Sequence, residues 1–227
     1  MLRAMIPILS LHVGPAAELA PGVLSAIGKH PVDRKLRLGP EGFAGDEQAD
    51  RRHHGGPEKA VHHYDAGHYP TWRAELGDLP ALQAGGFGEN LSTQGLSEGD
   101  VAVGDVFRLG SALIEVSQAR QPCWKLNLRF GRKDMARLVQ QTGRSGWYYR
   151  VLEPGEVAPG DALALVDRRA PDWTLTRLHR LLYIDRLDRA ALAEMAALAP
   201  LAPGWRQLAA RRLDSNRVED WQRRLNG

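Results

Sequence analysis

The sequence predicts a mainly β protein with some α-helix, in which a β-rich domain at residues 1–168 precedes a small helical domain at 169–227. Two observations carry this prediction. Before residue 168 the chain has short apolar runs separated by many glycines and prolines, a pattern that favours a β-barrel or sandwich over a parallel α/β sheet. After residue 168 glycines become rare and apolar residues recur at helical spacing.

The strands of the first domain are marked by apolar runs between turn residues. The opening run "MLRAMIPILSLHVG" indicates one first strand. Segments 106–109 and 112–117 flank Gly110-Ser111, a pair typical of two-residue hairpin turns. "YYRVLEPGEVAPGDALALVDR" predicts two more strands around its two Pro-Gly pairs.

Two helices are expected to interrupt these strands. "HYPTWRAELG" indicates a short one, and "RKDMARLVQQTG" places Met135, Leu138 and Val139 on one face before Gly143 as a C-cap.

The second domain is expected to hold three or four helices separated by prolines. Its first helix has Leu175, Leu178 and Leu182 on one side, with Thr174 or Asp172 as its N-cap.

Composition narrows the class of protein. The chain has 227 residues and one cysteine, so an internal disulfide is excluded. No run approaches the roughly 20 apolar residues that a membrane helix needs, so no membrane association is expected and the predicted location is the cytoplasm.

The basic residues are concentrated near the end of the chain. Residues 168–227 carry a net charge of +5, whereas the whole chain carries +3. Two arginine pairs, Arg211-Arg212 and Arg223-Arg224, are compatible with nucleic-acid binding. Acidic residues interleave with them as on a solvated helix face, so a nucleic-acid partner is not expected.

The single cysteine lies in "EVSQARQPCWKL", directly after Pro122 and between Arg120 and Lys125. Nearby cations favour a thiolate, which is a nucleophile and a soft metal ligand. The alternative is a small buried residue with no reactivity.

Histidines and glycines cluster in "RRHHGGPEKAVHHYDAGHY". Five histidines are compatible with zinc, but the spacing lacks a His-Glu-x-x-His helix and no cysteine pair is nearby. Gly55-Gly56 followed by Lys59 would suit an anion, although a plain turn explains the glycines equally well.

Two weaker signals remain. In "GGFGENLSTQGL", Glu89 and Asn90 follow a glycine-rich stretch. The stretch is compatible with a β-bulge beside an active site and equally with an ordinary turn. Lys29 in "SAIGKHPV" follows an expected strand, where a solvated lysine is common.

Five segments in chain order resemble the MOSC family, and most closely its YiiM-type subgroup: "SAIGKHPV", "GFAGDEQADRRHHGGPEKAVHHY", "GGFGENLSTQGL", "VGDVFRLGSALIEVSQARQPCWKL" and "TGRSGWYYRVLEPGEV". The resemblance covers about Ser25 to Val166. The helical tail resembles the three-helix domain that follows MOSC in that subgroup. Two departures are Ala119, where the family often has proline, and His53, an extra histidine before the expected His54.

The resemblance implies a MOSC-type β-barrel domain that binds the molybdenum cofactor, a pterin dithiolene with a phosphate. Cys123 matches the family's single cysteine, which is a thiolate ligand of molybdenum in reductase-type relatives and handles sulfur in sulfurase-type relatives. Pyridoxal phosphate binding is expected only at family level, because it belongs to a large extra domain for which 227 residues leave no room.

The resemblance also implies a set of cofactor-binding residues. Arg120 and Lys59 would meet anionic groups, His54 would line the pocket with the two glycines after it, Asn90 would contact the pterin edge, and Glu89 would anchor its loop. The full set is Lys29, His54, Gly55, Gly56, Lys59, Glu89, Asn90, Arg120 and Lys125.

The expected activity is reduction of small N-hydroxylated compounds such as hydroxylaminopurine-type base analogues, a detoxifying reaction. A separate electron-donor reductase is expected, because the sequence has no flavin, haem or iron–sulfur motif. A homodimer is compatible with the sequence. The alternative function is a sulfur carrier, or a non-catalytic cofactor-binding module, that uses Cys123.

Overall fold

The computed structural model describes residues 5–49 and 55–227. The strands are β1 Met5–Pro7, β2 Ser10–Val13, β3 Ala17–Ala20, β4 Val23–Ser25, β5 His30–Pro31, β6 Leu36–Gly39, β7 Gly42–Phe43, β8 Val61–Asp65, β9 Leu91–Thr93, β10 Asp105–Leu109, β11 Ala112–Ala119, β12 Trp147–Glu153, β13 Gly155–Val157 and β14 Ala162–Arg168. The helices are α1 His68–Leu76, α2 Lys125–Phe130, α3 Met135–Thr142, α4 Leu175–Tyr183, α5 Arg189–Ala197, α6 Pro203–Ser215 and α7 Gln222–Asn226.

The main element is a nine-stranded sheet with the order β1-β14-β10-β11-β12-β8-β9-β2-β5. Its strands pair antiparallel, except that β8 and β9 run parallel. Within residues 5–49 and 55–227 the sheet is open, with β1 and β5 as its two edges, so the predicted MOSC-type β-barrel is corrected to an open sheet. Both edge strands are short, and Pro31 in β5 has no N–H to continue the ladder, as is common on edge strands.

The predicted hairpin is confirmed. Strands β10 and β11 pair from Leu109 opposite Ala112, and Gly110 adopts the positive φ of 56° that such a tight turn needs. Strand β11 extends two residues further than predicted, to Ala119, and this extension brings the chain to the functional segment that follows.

Two strand predictions were too coarse. The opening run forms β1 and β2 instead of one strand, because Ile8 and Leu9 carry the chain from β1, which pairs with β14 at one edge, to β2, which pairs with β9 near the other edge. The segment around the Pro-Gly pairs forms three strands, and its short middle strand β13 pairs with β6 in a separate three-stranded sheet.

The two predicted helices of the first domain are confirmed as α1 and α3. Helix α3 buries Met135 and Val139, and Gly143 ends it in the left-handed conformation with a φ of 75°. Helix α2 was not predicted. It begins two residues after Cys123 and ends at Gly131, which is also left-handed.

The chain after Arg168 forms four helices, α4 to α7. Thr174 caps α4 by accepting a hydrogen bond from the Arg177 N–H at 3.1 Å, which selects it over Asp172. Leu178 and Leu182 of α4 belong to the same buried core as the sheet, so the helices pack directly on it. The division into domains at residue 168 stays a prediction.

Among the helices of the described residues, none has the length and apolar character needed to cross a membrane.

Candidate functional site

An open cleft lies beside the end of β11. It brings together residues that are far apart in the sequence but were each predicted to take part in one site. The predicted residues that line it are Lys29, Lys59, Asn90, Arg120, Cys123 and Lys125.

Arg120 is a buried cation that lines the cleft. It follows the last residue of β11, and its backbone N–H donates to the Gly146 carbonyl at 3.0 Å, which fixes the chain direction. The residue is 7% exposed, and its Nη1 has no hydrogen-bond partner within the described residues. Burying part of a guanidinium without a partner is unfavourable, so the atom is suited to an anionic ligand.

Cys123 is half-buried in the wall of the same cleft. Its position follows from two neighbours: Pro122 ends the extended segment, and the Cys123 carbonyl accepts the Leu126 N–H at 2.9 Å in the first turn that leads into α2. Lys125 lies at the start of that helix, and its Nζ donates to the Leu24 carbonyl at 2.7 Å. The thiol and two cations therefore share one cleft.

Lys29 and Asn90 belong to a buried network in the cleft wall. Lys29 forms an ion pair with Asp46, and each side chain is 7% exposed. Asn90 donates to Asp46 Oδ2 at 2.8 Å and accepts the His62 backbone N–H at 3.0 Å. Burial lowers the pKa of Lys29, and the Asp46 carboxylate only partly offsets this effect. Both predicted residues therefore have partners within the protein.

Glu89 lies behind the cleft and is not among the residues that line it. Its carboxylate is fully buried and accepts hydrogen bonds from the Tyr69 hydroxyl at 2.5 Å, the Gly85 N–H at 2.7 Å and the Phe87 N–H at 3.0 Å. Burial raises the pKa of Glu89, while these donors act in the opposite direction. These contacts hold the loop that carries Phe87, which lines the cleft.

The glycine pair lies at the edge of the site. Gly56 has a φ of 88°, and its N–H donates to Gln48 Oε1 at 3.1 Å. Gly55 and Gly56 do not line the cleft, whereas Lys59, three residues on, does. Its ammonium lies 6.0 Å from the centre of the Tyr148 ring. The predicted residue His54 lies outside the described residues.

His62 and Tyr148 line the cleft beside Arg120, although neither was predicted to bind the cofactor. His62 Nε2 has no hydrogen-bond partner within the described residues. Burial, reinforced by the Arg120 charge, lowers the pKa of His62 well below its usual value, so the ring is neutral. Burial raises the pKa of Tyr148, and the adjacent Arg120 partly offsets the rise. The sequence marked His62 only as part of a histidine cluster, because its orientation depends on the pairing of β8 with β12.

The other described histidines of that cluster point elsewhere. His63 is a core residue that contacts Tyr149 Oη at 2.9 Å and Thr93 Oγ1 at 2.8 Å, and burial lowers its pKa to about 3. His68 contacts Glu98 at 2.8 Å. In the part of the chain that the structure describes, no three metal-ligating side chains of the His, Cys, Asp and Glu types converge. The zinc alternative therefore gains no support from these residues.

The cleft fits a ligand that combines a soft metal with anionic groups. Cys123 supplies the only thiol of the chain, Arg120 has an unused donor, and Lys59 and Lys125 add positive charge around them. The molybdenum cofactor, with its thiolate-binding metal and its phosphate, has this chemistry.

Comparison with known proteins shows the family. The MOSC domain model matches residues 50–164, and the model of the YiiM-like, 3-alpha helix domain matches residues 173–216. Protein YiiM of Escherichia coli (strain K12) is 40% identical over 218 residues, which cover 96% of this chain and 97% of that protein. The chain belongs to the MOSC family.

Other relatives extend the comparison. A protein named Reductase from Gibberella moniliformis (strain M3125 / FGSC 7600) is 41% identical over 162 residues, which cover 70% of this chain and 29% of that protein. The crystal structure of YiiM from Escherichia coli matches with a TM-score of 0.85 at 36% identity and covers 99% of this chain and 100% of that one. YiiM from Geobacillus stearothermophilus matches with a TM-score of 0.78 at 33% identity, over 92% and 100% of the two chains.

Proposed function

We propose that this chain holds the molybdenum cofactor in the cleft and reduces small N-hydroxylated compounds, such as hydroxylaminopurine-type base analogues, to amines. The observation that carries the proposal is that Arg120, a buried arginine whose Nη1 has no partner among the described residues, lines the same cleft as the only thiol. Membership of the MOSC family supports cofactor binding, and the fungal relative named Reductase supports the reaction class.

The residues have distinct roles in this proposal. The Cys123 thiolate would ligate molybdenum, and Arg120 would pair with an anionic group of the cofactor through its free Nη1. Lys59 and Lys125 would add electrostatic attraction at the more exposed side. Lys29 and Asn90 would act through Asp46 by keeping the cleft wall rigid, and Glu89 would do so through the loop that carries Phe87.

The reaction needs electrons and protons from outside the substrate. An N-hydroxylated amine R–NHOH accepts two electrons and two protons, its N–O bond breaks, and R–NH₂ and water form. When bound, the cofactor supplies the two-electron chemistry, and a separate redox protein would renew the electrons because this chain has no flavin, haem or iron–sulfur motif. His62 is neutral, so it lines the cleft without adding a second positive charge beside Arg120.

The test is production in a host that makes the cofactor, followed by molybdenum analysis and an assay with an N-hydroxylated purine and a reduced viologen dye. Wild type should bind molybdenum and form the amine, and Cys123→Ala and Arg120→Gln should lose most of both properties. Arg108→Gln, on an exposed position of β10, is the matched control and should behave as wild type. Wild-type protein that carries molybdenum but forms no amine would refute the reaction. A persulfide on Cys123 without molybdenum, in a host with an intact cofactor pathway, would favour the sulfur carrier.

A further inference from the structure

Residues 216–227 form a segment that returns from the helical region to the cysteine, and we call it the C-terminal strap. All of it after Asn216 lies beyond residues 173–216, which match the three-helix domain model. It begins at Asn216, whose φ of 51° ends α6 and turns the chain back. It includes α7.

One end of the strap is fixed by Arg212 of α6. This arginine is 1% exposed and binds both carboxylate oxygens of Glu219, at 3.0 Å through Nε and 2.8 Å through Nη2. Its Nη1 donates to the Leu182 carbonyl of α4 at 3.1 Å. A bidentate ion pair of this kind fixes the orientation of the Glu219 carboxylate as well as its position.

The other end of the strap is bound to the residues on both sides of Cys123. Arg224 Nη1 donates to the Pro122 carbonyl at 2.6 Å, and the Arg224 carbonyl accepts the Trp124 N–H at 2.8 Å. Arg224 Nη2 also donates to Gln140 Oε1 of α3 at 2.6 Å. The residue before the cysteine and the residue after it are therefore held by the same arginine.

The remainder of α7 supports this attachment. Leu225 is buried in the core cluster that contains Leu126 and Phe130 of α2. Its carbonyl accepts Asn127 Nδ2 at 2.9 Å. Apolar burial and hydrogen bonds thus hold α7 against α2, which begins two residues after Cys123.

We propose that Arg224 is a positioning residue: with α7 it holds the Cys123 loop so that the thiol stays in the cleft. Its importance for catalysis rests on the proposed function, in which this thiol is the metal ligand. The effect of Arg224 on the thiol does not rest on the proposed function, because the contacts of Arg224 with Pro122 and Trp124 are present without any bound cofactor.

The single cysteine makes a direct experiment possible, since any thiol reagent reports Cys123 alone. We would measure the rate of alkylation by iodoacetamide across pH on the full chain, produced in a host that cannot make the cofactor. Arg224→Gln is compared with Arg223→Gln, because Arg223 is the adjacent residue of the same helix and is exposed. Circular dichroism and the melting temperature establish that each variant is folded.

Arg224→Gln should change the alkylation rate about tenfold at each pH, because losing a charge-assisted hydrogen bond shifts a conformational equilibrium by roughly that factor. Arg223→Gln should match wild type. Arg224→Lys keeps the positive charge but loses the planar guanidinium that donates two hydrogen bonds, so it should give an intermediate alkylation rate. It replaces Arg224→Gln if that variant does not fold.

Identical profiles for wild type, Arg224→Gln and Arg224→Lys would overturn the positioning role. An equal change of the alkylation rate in Arg223→Gln would also overturn it, because the effect would then come from the loss of any positive charge on α7. Absence of amine formation in the wild type, with the alkylation difference intact, would refute the proposed function but leave the positioning role standing.

Discussion

Replacing Arg120 by methionine should stabilise the cofactor-free protein while it removes cofactor binding. The guanidinium is 7% exposed and leaves Nη1 without a partner in the described residues. An unsatisfied buried donor costs about 1–3 kcal/mol, and more when it is charged, whereas the lost contact with Tyr148 is worth about 1 kcal/mol. Methionine has a similar length and no polar hydrogen, so the net gain should be roughly 1–2 kcal/mol.

Urea unfolding of the cofactor-free proteins measures this difference. Arg108→Met is the matched control, because Arg108 is exposed and its replacement should change the free energy of unfolding by less than about 0.5 kcal/mol. Molybdenum analysis after production in a cofactor-competent host gives the second readout, and Arg120→Met should contain little metal. If Arg120→Met proved less stable than wild type, Arg120 would be a structural residue and the argument from its unused donor would fail.

Two more predictions concern carboxylates that organise the site. Glu89→Gln should lower the free energy of unfolding by about 2 kcal/mol, because an amide cannot accept hydrogen bonds from all the donors around the buried carboxylate. Urea unfolding measures this difference, with Glu153→Gln at an exposed position as the control. The hydrogen bonds from Arg212 and Trp221 outweigh burial and lower the pKa of Glu219 to about 2. This carboxylate therefore stabilises the fold above its unfolded pKa of about 4.3, and that contribution is lost as pH falls toward 2. Glu219→Gln should lower the urea midpoint at pH 6 and have a much smaller effect near pH 2.5; an equal effect at both pH values would contradict the assignment.

The hairpin and most helices could be predicted because their signals are local. Gly110-Ser111 defines a turn without reference to the rest of the chain, and Gly143 ends α3 in the same way. The opening run shows the limit of such signals. Two strands at distant places in the sheet are separated only by Ile8 and Leu9, and nothing in an apolar run of this length tells which partner each half will find.

The site shows the same division between local and long-range information. The segment motifs identified six residues that line the cleft, but they could not show that Lys29 and Asn90 converge on Asp46. That convergence depends on contacts across 17 and 44 positions of the sequence. Nothing in the local sequence "GFAGDEQAD" distinguishes Asp46 from an aspartate exposed to solvent. Its contacts with Lys29 and Asn90 could therefore be recognised only from the folded structure.

The arginine pairs of the tail illustrate why a charge count misleads. Adjacent residues on an α-helix point about 100° apart, so one member of a pair can face the protein while the other faces water. Arg212 is buried on Glu219 while Arg211 is exposed, and Arg224 binds the Cys123 loop while Arg223 is exposed. Part of the basic excess is therefore needed inside the protein. Through Arg212 and Arg224 it connects the helical region to the loop that carries the one thiol of the chain.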